Sequence, residues 1–383
     1  MVISDIYIIF DTAMRFCADL TYIIATTLLS LWMISKYDNS EEGHIPTKPI
    51  EVTEEPKPIT TDTIRLLFGG DLMQHMPQVY AARTTDGGYD YTTSLEYIAP
   101  MFKSADIAVL NLETTISLTG HYSGYPCFAS PPAVADAMAD MGIDISLLAN
   151  NHCCDKYGRG IETTIDELTR RNIAHVGVYR DSLDYRENHI QYFERKGVNF
   201  ALVNYTYGTN GMPIPKGKIV DLIDTMAIKR DLHSIPQDSV DCIIACMHWG
   251  YEYARNANVH QRSIAQMLRR EGVDIIIGSH PHVVQPFEAD STHVLFYSLG
   301  NLVSNQQKRY TDGGILAEVE IIRSDTLDAL RYSAKAHPVW VLCPGYRVLP
   351  RHIGDTLTMP SYSRQRYTQF MNDTDKLLGT SSN

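Results

Sequence analysis

VDIIIGSHPH, residues 273–282, decides the fold. A run of branched apolar residues ends in Gly278 and Ser279, and two histidines follow, separated by a proline. Valine and isoleucine suit a pleated surface, and a run apolar on both faces marks a strand covered on both sides. The same grammar recurs outward along the chain. LLFGGD ends in Asp71, IAVLNLE in Glu113, ISLLANNH in Asn151 and His152, and CIIACMH in His248. Open α/β sheets hold their ligands at the carboxyl ends of strands. Five apolar runs therefore deliver carboxylates, an amide and imidazoles to one rim.

The donor types fit one purpose. Asp and Glu oxygens, an Asn oxygen and imidazole nitrogens suit borderline or hard divalent metals, and no thiolate belongs to the set. A carboxylate placed between two ions can bridge them, and paired ions stabilise the attacking and leaving oxygens of a displacement. His280 and His282, alternate residues of an extended segment, are expected to share a face. The bland readings are a turn or cap role for Asp71 and Asn151, and a loop position for the histidines. Their recurrence at neighbouring strand ends argues against those readings.

Between these runs the pattern alternates. Strands are expected at 64–68, 107–110, 143–148, 200–204, 242–247, 273–277, 294–297 and 315–321. Helices are expected at 131–141, 159–171 and 259–270. The result is an α/β chain of layered sheets without an internal repeat. Residues from about 356 onward read as a peripheral helix with a frayed tail.

Taken together, FGGDLM, VLNLETTIS, LLANNHCCDKYGRGI, NYTYGTNG, MHWGYEY, GSHPHVVQP and YSLGNLVSNQ resemble the CapA family of poly-γ-glutamate capsule proteins. Through the order Asp, acid, Asn-His, His, His-x-His they also resemble the calcineurin-like metallophosphoesterase superfamily. The resemblance implies an α/β/β/α fold over residues 63–345 and one or two divalent ions, of which Mn, Fe or Zn are the expected kinds. It implies that Asp71, Glu113 and His282 hold one ion, and that Glu113, Asn151, His248 and His280 hold the second. His152 would be the proton donor, oriented by Asp155. The implied activity is that of a metal-dependent hydrolase or transferase in the synthesis, export or processing of an anionic capsule polymer. A polymer-binding subunit beside a membrane synthase, and a phosphatase for small phosphoesters, are the alternatives.

The chain departs from the superfamily pattern at Met73, where a histidine is usual, and at Glu113, where an aspartate is usual. His75 is the nearest substitute for the first. Tyr207, Tyr251, Glu252 and Asn301 border the expected cleft as substrate contacts, with Asn204 and Tyr205 nearby. Arg83, Arg159 and Arg255 are candidate anion clamps.

The net charge of −12 excludes nucleic acid as a main partner, because a phosphate backbone needs a basic footprint. Seven scattered cysteines form no CxxC pair, so a zinc ribbon is not expected and buried thiols are. LTYIIATTLLSLWMI, residues 20–34, is apolar and uncharged. It is read as an uncleaved membrane anchor within residues 1–35, with a cleaved signal peptide and a buried helix as competitors. Residues 36–62, rich in Pro, Glu and Thr, read as a linker, and residues 346–383 as a C-terminal extension. The expected location is the bacterial cell membrane, with the domain outside the cytoplasm.

Overall fold

The computed structural model describes residues 61–324, 327 and 329–379. The expected anchor and nearly all of the expected linker lie outside them, although Thr61 and Asp62 open the first strand. Among the described residues no helix is long and apolar enough to cross a membrane.

β1 (Thr61–Leu72), β2 (Ile107–Leu112), β3 (Ile145–Leu147) and β4 (Ala174–Val176) lie side by side in parallel. The chain continues through β5 (Val178–Tyr179), β6 (Gln191–Arg195), β7 (Val198–Thr206) and β8 (Ile219–Val220). It then forms β9 (Cys242–His248), β10 (Ile275–Ser279), β11 (Phe287–Ala289) and β12 (Val294–Phe296). A second sheet takes the order β11-β12-β10-β9-β7-β6, while β5 and β8 pair as a short ribbon. β13 (Asn301–Val303) returns to the first sheet, beside the end of β1. β14 (Gly313–Ser324), β15 (Arg331–Leu342) and β16 (Arg347–Pro350) extend that sheet antiparallel from β1.

Why the strands read as unbroken apolar runs is now plain. Successive side chains of a strand face opposite sides. Ile64, Leu66 and Phe68 of β1 meet Ile244, Cys246, Ile275 and Ile277 of the second sheet in a core between the sheets. Leu67 instead faces outward with Ala108 and Leu110, onto Val134, Met138, Ile161 and Ile165 of helices Ala133–Met141 and Tyr157–Thr169. On the far side Ile243, Ala245, Met247 and Ile276 pack on Leu232 and Leu268 from helices Thr225–Ser234 and Val259–Arg270. Both faces of both sheets are covered, which makes the α/β/β/α sandwich.

Two expectations need correction. The strand expected at 315–321 is one arm of a long hairpin, and its partner β15 went unrecognised. Its sequence, RYSAKAHPVWVL, interleaves alanines with charged residues and carries Pro338, so the period-2 signal is weak. The C-terminal segment is also more than a peripheral tail. Helix Ser361–Leu378 buries Tyr367, Phe370 and Met371 in the core between the sheets. The six cysteines among the described residues are free thiols, four of them buried.

Candidate metal centre

The first candidate ligand is aimed by a close approach of backbones. A Cβ on Gly70 would lie 2.0 Å from the carbonyl oxygen of Gly300, so only glycine lets β1 and the 299–301 segment meet. That contact sets Asp71 opposite Asn301 and hydrogen-bonds the Asp71 amide to Gly300 O at 3.0 Å. Glu113 follows β2, Asn151 and His152 follow β3, His248 ends β9, and His280 and His282 follow β10. All seven side chains are buried.

His280 and His282 converge, with ring centroids 5.8 Å apart, but not as alternate residues of an extended strand. Their φ angles are +95° and +57°, so both residues sit in left-handed conformations that are costly for side chains other than glycine. The expected extended geometry is wrong, and the convergence comes from two strained turns. Such strain persists only where surrounding structure fixes it.

One carboxylate organises one side of the cluster. Asp71 Oδ1 accepts from Asn111 Nδ2 at 2.8 Å, and Oδ2 accepts from the His280 amide at 3.3 Å. His282 Nδ1 lies 3.1 Å from Asp71 Oδ2 and 3.1 Å from Asn301 Oδ1. Asn301 Nδ2 already donates to Gln306 and to Thr311 O, so its oxygen is an acceptor and His282 Nδ1 carries the hydrogen. His282 Nε2 is thereby left free, 3.8 Å from Glu113 Oε1. On the other side His248 Nε2 lies 2.6 Å from Asn151 Oδ1 and 3.8 Å from Glu113 Oε1.

Glu113 stands between these halves. It is fully buried, and among the described residues neither carboxylate oxygen has a hydrogen-bond partner. Burial, then the Asp71 carboxylate and the charge of Glu252, push its pKa well above the usual range. His248 Nδ1 and His280 Nδ1 are likewise buried without partners. Burial and neighbouring imidazoles push His248 well below its ordinary value and His280 down to about 3, which keeps both rings neutral. Two buried carboxylates facing neutral imidazoles are costly unless a cation joins them. Asp71, Glu113 and His282 can each present a ligand atom within 4.8 Å of the others. The donor set fits a divalent cation.

Beside this cluster His152 Nδ1 donates to Asp155 Oδ2 at 2.8 Å, and the same oxygen accepts from the Phe128 amide at 2.6 Å. The Phe128 ring stands edge-on to His152 at 4.6 Å. His152 Nε2 points to Asn210 Nδ2, 3.5 Å away.

The residues expected to touch substrate are placed unequally. The Tyr207 ring lies tilted against His280, with centroids 4.4 Å apart, and is 46% exposed. Glu252 is exposed, yet its charge is felt at Glu113 and at Tyr207. Tyr251 is 62% exposed, with no hydrogen bond or ring contact to the cluster. Asn301 is fully buried, as the partner of His282. His75, the expected substitute at Met73, is not among the residues whose ligand atoms converge with Asp71, Glu113 and His282. It precedes helix Met76–Ala81, with its Nδ1 3.2 Å from Gln78 Oε1 and its ring edge-on to Phe128 at 5.1 Å. Met73 is buried with its sulfur 3.6 Å from Ser304 Oγ.

Sequence reasoning missed three asparagines. Asn111 links Asp71 to Asn150, whose Nδ2 lies 3.3 Å from Asn111 Oδ1 and whose Oδ1 accepts from the His152 amide at 3.1 Å. Asn210 accepts from Asn151 Nδ2 and Tyr207 OH, each at 3.2 Å. A polar residue inside the apolar run IAVLNL was the available signal for Asn111.

Known proteins resemble this chain in sequence and, more distantly, in structure. PGA biosynthesis protein CapA of Bacillus subtilis (strain 168) is 28% identical over 278 residues, covering 72% of each chain. Capsule biosynthesis protein CapA of Bacillus anthracis is 24% identical over 287 residues, covering 71% of this chain and 68% of that one. Among solved structures, the NAD nucleotidase NadN of Haemophilus influenzae aligns with a TM-score of 0.46 at 10% identity. That alignment covers 82% of this chain and 63% of NadN, less than two thirds of it. The family model described as bacterial capsule synthesis protein PGA_cap matches residues 65–306, more than half the chain. The chain belongs to this bacterial capsule synthesis family.

Proposed function

We propose that this protein is a metal-dependent enzyme in the synthesis, export or processing of poly-γ-glutamate or another anionic capsule polymer. The observation that carries the reading is Glu113, a buried carboxylate without a hydrogen-bond partner, set between Asp71–His282 and Asn151–His248 beside a His–Asp pair. Asp71, Glu113 and His282 would hold one divalent ion, and Glu113, Asn151, His248 and His280 a second, with Mn, Fe or Zn suited to the donors. Such an ion, when bound, supplies Lewis-acid polarisation of a substrate oxygen and offsets the negative charge of the polymer.

The chain's own residues supply the rest. Asp155 holds the Nδ1 hydrogen of His152, so Nε2 is the atom that exchanges a proton with substrate. Asn210 Nδ2 stands near that nitrogen and fixes the direction from which it is approached. Tyr207, half-exposed over His280, forms a wall of the cleft. The reaction class is hydrolysis or transfer at a phosphoester or amide. We place the domain at the cell envelope outside the cytoplasm, anchored by residues 1–35 and working beside membrane synthase subunits.

One observation favours a second reading. Met73 stands where the superfamily carries a histidine, and its thioether packs against Ser304. A weaker first metal position suits a subunit that binds the polymer without cleaving it. The two readings part at His152. With the full chain and γ-linked glutamate polymer, the enzymatic reading expects a change in polymer length that His152→Ala abolishes while bound metal is retained. No change in length by the wild-type protein, with metal bound, would favour the binding subunit.

A further inference from the structure

A cavity of about 370 Å³ lies next to the His152–Asp155 pair, between the 116–123 loop and the start of helix Tyr157–Thr169. Two of its lining residues, Ala129 and Lys156, are the chain neighbours of Phe128 and Asp155. Phe128 gives its amide to Asp155 and its ring to His152.

The charges in this cavity run against the rest of the chain. The protein carries a net charge of −12, yet no acid lines the cavity, and its two charged residues are Lys156 and Arg159. Among the described residues neither side chain has a hydrogen bond or ion pair. Elsewhere Lys196, Lys218, Lys229 and Arg180 each meet an acid. Two unpaired cations on a concave wall hold open a place for an anion. The remaining lining is mixed. Hydroxyls of Ser117 and Thr119, 2.9 Å apart, lie beside Leu118, which is 60% exposed, and Tyr122. A carboxylate carried on a short hydrocarbon chain matches that combination of cations, hydroxyls and apolar surface.

We infer that this cavity is a subsite for the polymer, in which Lys156 and Arg159 bind an anionic side group of a unit next to the one at the reacting centre. The inference rests on the reading of an anionic polymer as substrate. A chain held at both places is bound more tightly than either contact alone allows, so the cavity selects polymer over a single unit. Of the arginines singled out in the sequence as possible anion clamps, Arg159 takes that role.

The test is equilibrium binding, measured by fluorescence anisotropy of a labelled γ-linked glutamate oligomer on the full chain. The wild-type protein is compared with Lys156→Ala/Arg159→Ala and with Arg159→Glu, each checked for native circular dichroism. The expected result is a loss of about tenfold or more in affinity for both variants, since each charge-assisted contact is worth about 1.4 kcal/mol or more. Binding should weaken as salt is raised, and the methyl-esterified oligomer should bind wild type and variants alike. Equal affinity of wild type and variants for the acidic oligomer would overturn the subsite while leaving the proposed function standing. A parallel arm uses an oligophosphate of similar length. Should wild type bind that probe alone, with loss in the variants, the anion subsite holds and γ-glutamate falls as the polymer. Binding of neither probe overturns the subsite.

Discussion

His152 and Asp155 form a closed pair. Asp155 Oδ2 takes the hydrogen of His152 Nδ1 at 2.8 Å and the Phe128 amide at 2.6 Å, and both side chains are buried. The amide fixes the carboxylate, the carboxylate fixes the tautomer, and Nε2 keeps its lone pair, 3.5 Å from Asn210 Nδ2.

Asp155→Asn is expected to weaken this arrangement without unfolding the protein. An amide oxygen still accepts from Nδ1 and from the Phe128 amide, since turning the NH₂ inward would set it against the Phe128 N–H, but the negative charge that stabilises a protonated His152 is lost. Polymer-processing rate should fall on the order of 10²–10⁴-fold, while metal content and melting temperature stay close to wild type. An unchanged rate with native metal content would remove the pair from the mechanism.

Asn111 supports the centre without belonging to it. Its Nδ2 donates to Asp71 at 2.8 Å, and its Oδ1 faces Asn150, which in turn holds the His152 amide. Asn111→Ala leaves these buried groups without partners and should cost roughly 1–3 kcal/mol of stability. It should also weaken metal affinity by about 10–100-fold, as loss of a ligand's supporting hydrogen bond generally does. Denaturant unfolding and metal titration check the two effects separately. Wild-type affinity in a destabilised variant would reduce Asn111 to a packing residue.

Glu113 predicts a pH dependence in the presence of chelator. Burial, then the negative charge of Asp71, hold its pKa well above the usual range in the metal-free fold. The folded protein then binds a proton that the unfolded chain releases near pH ~4.3. Stability from this group is fully present below that value and is lost as the pH rises through the folded pKa. Thermal melts of the metal-free protein beside Glu113→Gln isolate this contribution: the parent should lose stability relative to the variant as pH is raised from 4 toward 8, while His248 and His280, whose pKa values burial lowers, give both proteins a slope of the opposite sign. At pH 8 Glu113→Gln should be more stable than the metal-free parent by roughly 1–3 kcal/mol. A variant with the parent's slope would show that Glu113 is not the group responsible.

Much of this was legible in the sequence because the sheets are covered on both faces. Alternate residues such as Leu66 and Leu67 serve different cores, so the strands read as continuous apolar runs with ligands at their ends. β15 was not legible, because Ala334 and Ala336 alternate with charged neighbours and Pro338 interrupts the run. The convergence of His280 and His282 was expected for the wrong reason, since positive φ at non-glycine residues leaves no mark in composition. Asn210 lies in a turn far along the chain from Asn151, and only the fold brings it within 3.2 Å.

The central claim is that the buried cluster is a divalent-metal centre. Its most direct test is elemental analysis of the purified full chain, alongside His280→Ala/His282→Ala confirmed as folded by circular dichroism. The account predicts one or two equivalents of Mn, Fe or Zn in the wild-type protein and their loss in the variant. A wild-type protein that stays folded but takes up none of these metals, even after incubation with each, would contradict it.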